Sequence, residues 1–286
     1  WNTPTTMPRT ISSFATSIPQ AYRHPPSPAR FGCSPAVRYN RSMELHVAAA
    51  IILLAATASC IQALSGFGFS LFIVPFLSLL IGPKDTVVLA NLLSITVNLI
   101  QFPRLRHSIE RKTASVLAFG SYAGMPVGLA VLLLIDPTAL RLLIAISVIL
   151  FTLLIMRGLR IHGGGRPGDL ATGFVSGVLN TSTSMSGPPI VLYLQGKGLT
   201  PAAFRSTTNA FFLVTAVGAV GLLLASGSVK PWVIGAFALA MPAAEAGRML
   251  GNRLFDHIDE ARFRRLVYAI LLLSATVALL SAFPRG

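Results

Sequence analysis

The sequence predicts an all-α fold: a polytopic transmembrane helix bundle built from two inverted repeats with broken, re-entrant half-helices. The first of three supporting observations is composition, since 53% of the 286 residues are apolar, 11% are charged and the mean hydropathy is +0.70. That composition leaves too little polar surface for a soluble globule and predicts membrane spans. The second is an internal repeat at an offset of about 118 residues, and the third is an opposite loop charge bias in its two copies.

The repeat aligns two breaks in apolar helices and the segments that follow them. It places 65–69 on 183–187 and Pro83 on Pro201. Each copy opens with an apolar helix that runs into small residues, continues as a short apolar segment and reaches a proline before a longer span. Matching broken helices in the two halves of an apolar chain are typical of secondary transporters.

Residues 1–42 differ from the rest of the chain, and we exclude them from the fold. They contain five arginines, many Ser, Thr and Pro and no acidic residue, so they can bury little and are expected to be disordered. A transit peptide is one interpretation, although seven prolines oppose an amphipathic helix. We expect instead that this tail lies upstream of the native start, because Met43 leads directly into the first span.

Ten apolar segments, five per copy, make up the two repeats, which we place at 44–157 and 168–283. Two segments, 68–82 and 187–196, are short for the hydrocarbon thickness and are interpreted as half-helices or re-entrant pieces. The other eight are expected to be full spans. The segments lie at 45–64, 68–82, 86–103, 113–135, 138–157, 168–183, 187–196, 202–226, 230–250 and 263–283.

Lysine and arginine in the loops orient the spans. Loops 103–112 and 156–169 are basic and two passes apart, so both are predicted to be cytoplasmic. Between copies the bias reverses: basic 103–112 corresponds to weakly charged 226–231, and sparse 135–140 corresponds to basic 251–265. Copies with opposite bias are expected to be inserted upside down relative to one another, with a central site on their pseudo-two-fold axis.

The two breaks form the candidate binding site. Run 180–189 has six polar side chains in ten residues at membrane depth, which requires a water-filled or protein-buried cavity. Its hydroxyls suit helix N-caps, and two helix starts aimed at one point favour a small anion. Alternatively, the small residues only permit close helix packing. The candidate substrate-binding residues are Ser65, Gly66, Gly68, Asn91, Thr183, Ser184, Ser186, Gly187, Pro188, Arg205 and Asn209.

Four of the polar positions carry alternatives that the sequence leaves open. Asn91 and Asn209 are equivalent under the repeat, and each can contact substrate or satisfy carbonyls freed by the break opposite. Arg205 can attract an anion or extend its side chain to the cytoplasmic interface. Glu245 lies deep in an apolar span with Arg248 one turn later, which makes it either a coupling candidate or half of a structural ion pair.

Other function classes have little support in the residues. The net charge is +14, but the basic residues lie almost wholly in the loops between apolar segments, where they orient the spans. They do not form one basic face with interleaved aromatic residues, so no nucleic-acid partner is expected. The two cysteines and five histidines form no metal-ligand pattern, and no cofactor or nucleotide-binding loop is predicted. No histidine or carboxylate pair accompanies Ser182 or Ser184, which argues against an enzyme. The expected partners are a small anion and the bilayer, with H⁺ or Na⁺ coupling open.

The motifs resemble those of the TauE/SafE sulfite exporter family. The resemblance covers 44–283 and rests on Ser65-Gly66-Phe67-Gly68-Phe69, Gly187-Pro188-Pro189, Arg205 four residues before Asn209, and the segment 258–265. It implies a multi-pass transporter of the bacterial inner (plasma) membrane that moves sulfite, sulfonates or related organosulfur compounds or organic acids. A passive anion channel is the alternative. One departure is Ser184-Met185-Ser186-Gly187, where members of the family often have a glycine-richer break.

Overall fold

The computed structural model describes residues 41–161 and 165–255, together with Leu272 and Thr276. These residues form α-helices with short connections and no strand, and the all-α prediction is confirmed. Of the tail predicted at 1–42, residues 1–40 lie outside this part of the chain, whereas the last two belong to α1, which begins at Arg41. The last predicted span, 263–283, also lies outside it apart from Leu272 and Thr276. The helices are α1 (Arg41–Ser65), α2 (Phe69–Leu80), α3 (Pro83–Leu105), α4 (Arg111–Leu134), α5 (Pro137–Met156), α6 (Gly165–Thr183), α7 (Gly187–Gly196), α8 (Pro201–Ala225) and α9 (Pro231–Phe255), with one 3-10 turn at Arg106–Ser108.

Six of these helices are long and apolar enough to cross a membrane. The full span predicted at 168–183 is not among them, because α6 carries a buried Asp169 and a polar last turn, 180–183. Helices α2 and α7, of 12 and 10 residues, are short as predicted. The six candidate spans are Leu45–Ser65, Pro83–Ser108, Arg111–Leu134, Pro137–Met156, Pro201–Ala225 and Pro231–Leu254.

Apolar side chains lie both inside and outside the bundle. Leu77, Leu89 and Ile144 are fully buried in its main core. On the outside, Phe119 is 72% exposed and Leu134 is 84% exposed, which would be costly for many such residues in water. A bilayer is the solvent that suits this surface, and the chain is a multi-pass membrane protein.

Prolines and polar caps mark where the longer helices start. Asp136 accepts hydrogen bonds from the N–H groups of Thr138 (2.8 Å) and Ala139 (3.1 Å), and Thr200 accepts one from Ala203 (3.3 Å). Proline suits the first helical position because the N–H there needs no helical partner. Four helices begin on one, at Pro83, Pro137, Pro201 and Pro231.

Helices α4 and α6 run parallel and touch backbone to backbone. A Cβ placed on Gly124 would overlap the carbonyl oxygen of Phe174, and one on Gly128 would overlap that of Val178. Further glycines line the same contact from both helices, which leaves no room for side chains there. Small residues that allow such close approach are the common means of packing helices in membranes.

Helices α9 and α1 repeat this contact. Gly247 faces the carbonyl oxygen of Ala56 and Gly251 faces that of Cys60, again too closely for a Cβ. In the sequence repeat α1 corresponds to α6, and α9 corresponds to α4. Under the predicted repeat, this contact corresponds to the first one with the two copies exchanged.

One end of the bundle, which we call the basic end, gathers loops that are distant in sequence. The Glu110 N–H donates to the Thr207 hydroxyl at 3.0 Å. Lys197 Nζ lies 2.6 Å from Asp169 Oδ1 and donates to the Thr113 hydroxyl at 3.3 Å. The starts of α4 and α6 and the end of α7 thus share this end, together with the basic loop that precedes α4.

The opposite end of the bundle has its own polar contacts. Lys230 Nζ lies 2.9 Å from Asp85 Oδ2, and Lys84 donates to the Leu133 carbonyl at 3.1 Å. These residues belong to the start of α3, the end of α4 and the turn before α9. The weakly charged loop 226–231 therefore lies away from the basic end.

Candidate functional site

The two helix breaks meet at a small buried cavity. From the first break it is lined by Gly68 and Phe69, where α2 starts, and from the second by Ser186 and Gly187, where α7 starts. Its volume is about 20 Å³, which is room for about one water molecule. None of the described residues that line it carries a formal charge. The other lining residues are Gln62, Ser70, Leu71, Ser94, Asn180, Met185, Pro188 and Phe212.

The short helices α2 and α7 offer different numbers of backbone donors to the cavity. The first helical hydrogen bond of α2 runs from Phe72 N–H to the Gly68 carbonyl (3.0 Å), so the N–H groups before Phe72 have no helical partner. In α7 two of the corresponding positions are Pro188 and Pro189, which have no N–H. The backbone donors for an anion therefore come mainly from α2.

Ser186 is the N-cap residue of α7, but its hydroxyl makes no capping bond. An N-cap side chain accepts from the N–H of the second or third helical residue, and these residues are Pro188 and Pro189. The prediction that the hydroxyls of this break cap the following half-helix is wrong for Ser186 for that reason. Its hydroxyl is left at the cavity wall.

Gly66 and Ser184, equivalent under the repeat, end α1 and α6 in the same left-handed conformation. Their φ angles are 80° and 59°, and each N–H donates at 2.8 Å to the carbonyl four residues back, of Gln62 and Asn180. Glycine adopts this conformation freely, whereas another residue pays about 1 kcal/mol. Ser184 is 2% exposed and does not itself line the cavity, and its hydroxyl oxygen has no hydrogen-bond partner among the described residues. Backbone strain beside an unsatisfied buried hydroxyl points to a functional position.

Most other hydroxyls near the breaks are satisfied locally. Thr183 donates to the Leu179 carbonyl at 2.8 Å and Ser182 to the Val178 carbonyl at 2.7 Å. Ser65 donates to the Ile61 carbonyl at 2.8 Å. Such bonds to the preceding helical turn are a structural use of Ser and Thr. Of the predicted site residues, Ser65 and Thr183 are thus engaged by their own helices and do not line the cavity.

A buried amide cluster next to the cavity joins α1, α3 and α8. The Asn98 side-chain oxygen accepts from Gln62 Nε2 and Asn209 Nδ2, both at 2.9 Å. Asn98 also donates to the Ser94 carbonyl at 2.7 Å. Buried amides bonded to one another in this way tie three helices to a common point. Gln62, Ser94 and Asn98 were not predicted as site residues.

Asn91 and Asn209 do not play matching parts. Asn91 Nδ2 donates to the Val87 carbonyl at 2.9 Å and lies 3.5 Å from the carbonyl oxygen of Asn180, one turn before the second break. Asn209 donates to Asn98 and not to the backbone of the first break. Both side chains are buried and neither lines the cavity. The structure therefore places them beside the site and not in its wall.

Arg205 reaches across from α8 to the end of α1. Its Nη2 donates to the Ala63 carbonyl at 2.9 Å, and its Cγ would lie 3.1 Å from a Cβ on Gly66. A guanidinium at the carboxyl end of a helix satisfies an orphan carbonyl and opposes the negative end of the helix dipole. Arg205 therefore supports the first break and does not line the cavity.

Replacing Arg205 by glutamine is expected to destabilise the bundle by about 2 kcal/mol, the usual contribution of a hydrogen bond to a charged group. The measurement is thermal unfolding in detergent followed by circular dichroism. Arg104→Gln, which removes an exposed cation from α3, is the matched control and is expected to melt like the unchanged chain. Equal midpoints for the two variants would contradict a capping role for Arg205.

Glu245 lies on α9 and pairs with Arg248. Arg248 Nε donates to Oε2 at 2.7 Å, and Nη2 contacts Oε1, so both carboxylate oxygens are engaged. Arg248 is buried while Glu245 is half-buried, and neither lines the cavity. The geometry is that of a structural ion pair, and the coupling role of Glu245 stays a prediction.

Comparison with known proteins gives consistent matches over most of the chain. The family model described as "Sulfite exporter TauE/SafE" matches residues 51–278. A protein of Cupriavidus necator named "Probable sulfite/organosulfonate exporter TauE" is 25% identical over 223 residues, which cover 74% of this chain and 85% of that protein.

A second relative matches a shorter region. The protein of Comamonas testosteroni named "Probable inner membrane transporter protein TsaS" is 31% identical over 104 residues. The match covers 36% of this chain and less than half, 43%, of that protein. No solved structure matches the chain significantly.

Proposed function

The chain belongs to the TauE/SafE sulfite exporter family, and from that premise we propose that it is a secondary transporter of a small anion. The substrate class we propose is sulfite, sulfonates or related organosulfur compounds and organic acids, moved across the bacterial inner membrane. One observation carries the proposal: the starts of two half-helices, one from each copy, meet at a single buried cavity.

The cavity suits an anion that must be released again. Unpaired N–H groups at the start of α2 and the hydroxyls of Ser70 and Ser186 supply donors, and the helix dipoles add partial positive charge. No lysine or arginine of the described part of the chain lines it. Binding by dipoles alone is weaker than binding to a buried cation, which favours release on the far side.

The inverted repeat is part of the proposal, and the glycine contacts support it. Under a pseudo-two-fold axis, each contact between copy one and copy two has a counterpart with the copies exchanged. Helix α4 of copy one packs on α6 of copy two, and α9 of copy two packs on α1 of copy one, in the same way. The carbonyls that the glycines meet belong to Phe174 and Val178 in one contact and to Ala56 and Cys60 in the other, and these pairs are related by the offset of 118 residues.

The re-entrant path of α6 and α7 is also proposed. Lys197, which follows α7, reaches Asp169 near the start of α6, and the Tyr193 hydroxyl donates to the Gly165 carbonyl at 3.2 Å. These contacts support a hairpin that enters from the basic end and returns to it. A cavity with room for one water cannot hold a sulfonate, so one repeat must move against the other to admit it.

Flux into liposomes tests the proposal. We expect the purified protein to take up at least one anion from a panel of sulfite, taurine, sulfoacetate and simple carboxylates, with a saturable rate. Unlabelled substrate inside the vesicles should accelerate uptake, because a carrier returns faster when loaded. A passive channel would show neither saturation in this range nor such exchange, and no saturable flux for any tested anion would refute the proposal.

A further inference from the structure

An open groove of about 630 Å³ lies at the basic end, between the starts of α4 and α6. It is separate from the buried cavity and shares no residue with it. Both helices run parallel from this point, held together by the glycine contacts farther along. The lining residues are Lys112, Thr113, Ser115, Val116, Phe119, Gly165, Arg166, Asp169 and Leu170.

The groove carries a net positive charge. Lys112 and Arg166, one from each helix, are exposed at its rim. The acidic residue in the lining, Asp169, is 5% exposed and is paired with Lys197 at 2.6 Å. Because Lys197 neutralises that carboxylate, the two rim cations are not cancelled from within the groove.

The wall of the groove is apolar where it leaves the basic end. Val116 and Phe119 follow Lys112 at intervals of four and seven residues, so they lie on the same face of α4. Phe119 is 72% exposed, and Leu170 on α6, beside it in the lining, is 39% exposed. From Lys112 to Phe119 the helix rises roughly 10 Å. Cations therefore sit above an exposed apolar strip that points toward the membrane interior.

We propose that this groove binds an anionic phospholipid, with the phosphate between Lys112 and Arg166 and an acyl chain along Phe119 and Leu170. Basic pockets between helices at the cytoplasmic side of a membrane are suited to such headgroups. A free phosphate would use the two cations but would make no contact with the apolar wall. The lipid occupies both parts, and its binding does not depend on which anion the cavity transports.

Lipid binding to the purified full-length chain in neutral detergent tests the proposal, with native mass spectrometry as the readout. The probes are phosphatidylglycerol, phosphatidylcholine and glycerol 1-phosphate. We expect phosphatidylglycerol to bind more tightly than phosphatidylcholine, and Lys112→Gln with Arg166→Gln to weaken it roughly 20-fold. Both residues are exposed, so the double variant is expected to fold.

The matched control is Arg104→Gln with Arg106→Gln, which removes the same charge from exposed residues before α4 that do not line the groove. The control is expected to retain phosphatidylglycerol affinity within about two-fold. Equal loss in both double variants would show unspecific attraction and overturn the proposal. Binding of glycerol 1-phosphate as tight as that of the lipid would overturn it as well, since the apolar wall would then contribute nothing.

Discussion

Gly124→Ala is expected to destabilise the folded bundle by about 3 kcal/mol, near the upper end of the range for overpacked sites. The added methyl group would overlap the Phe174 carbonyl, which is backbone and cannot rotate aside as a side chain can. Helices α4 and α6 would have to separate along their whole contact. The measurement is the thermal or denaturant midpoint of the purified protein in mild detergent, followed by circular dichroism.

Two comparisons make this prediction specific. Gly221→Ala on α8 and Gly235→Ala on α9 add the same methyl group where no atom of the described residues lies within 4 Å, and they are expected to be neutral or to stabilise by about 0.5 kcal/mol. Gly247→Ala, at the exchanged contact with Ala56, is expected to resemble Gly124→Ala. A Gly124→Ala midpoint equal to that of Gly221→Ala would show that the backbone contact does not support the fold.

The positions of the helices along the chain could be predicted from local sequence patterns. The short segment predicted at 187–196 coincides with α7, because Pro188 suits a helix start and the chain becomes polar after Gly196. The span predicted at 86–103 begins at Pro83 in the structure. The difference arises because the prediction followed apolar residues only. The charged residues Lys84 and Asp85 interrupt the apolar run but form the first turn of α3.

The sequence indicates which helix faces pack closely, but not which helices pack against each other. Glycines spaced by four on α4 and α6, such as Gly120 and Gly124, or Gly173 and Gly177, indicate faces for close packing. The partner of each glycine face is set by the tertiary arrangement, which local sequence patterns do not specify. The long-range ion pair between Asp169 and Lys197 was likewise beyond local reasoning, although a carboxylate in an apolar helix calls for a partner.

The buried amide residues around the cavity also differ in whether the sequence alone could indicate them. The repeat offset aligns Gln62 with Asn180, one turn before each break, so their shared importance could have been found by extending the comparison of the two copies. Asn98 has no such signal because Ala216 occupies the equivalent position. Its role emerges only from its burial and from the two amides that donate to it.

Ser186→Ala is expected to weaken binding of the transported anion roughly ten-fold or more while leaving the unfolding midpoint unchanged. A hydrogen bond to a charged ligand contributes enough free energy for that loss. Stability should not change, because Pro188 and Pro189 prevent the Ser186 hydroxyl from capping α7. The measurement is anion affinity by isothermal titration, with circular dichroism melting on the same samples.

Ser184→Gly distinguishes a binding role from a structural role more clearly, because we expect it to raise the stability of the fold and to lower the affinity for the anion. Glycine relieves the left-handed conformation that costs serine about 1 kcal/mol, an effect partly offset by the greater freedom of glycine in the unfolded chain. Removal of the unpartnered hydroxyl should meanwhile weaken anion binding. The matched control is Ser182→Ala, whose hydroxyl is already bonded to the Val178 carbonyl and should not affect affinity. If Ser184→Gly keeps full affinity, the strain at this position serves helix termination alone, and the anion is held by the start of α2 and by Ser186.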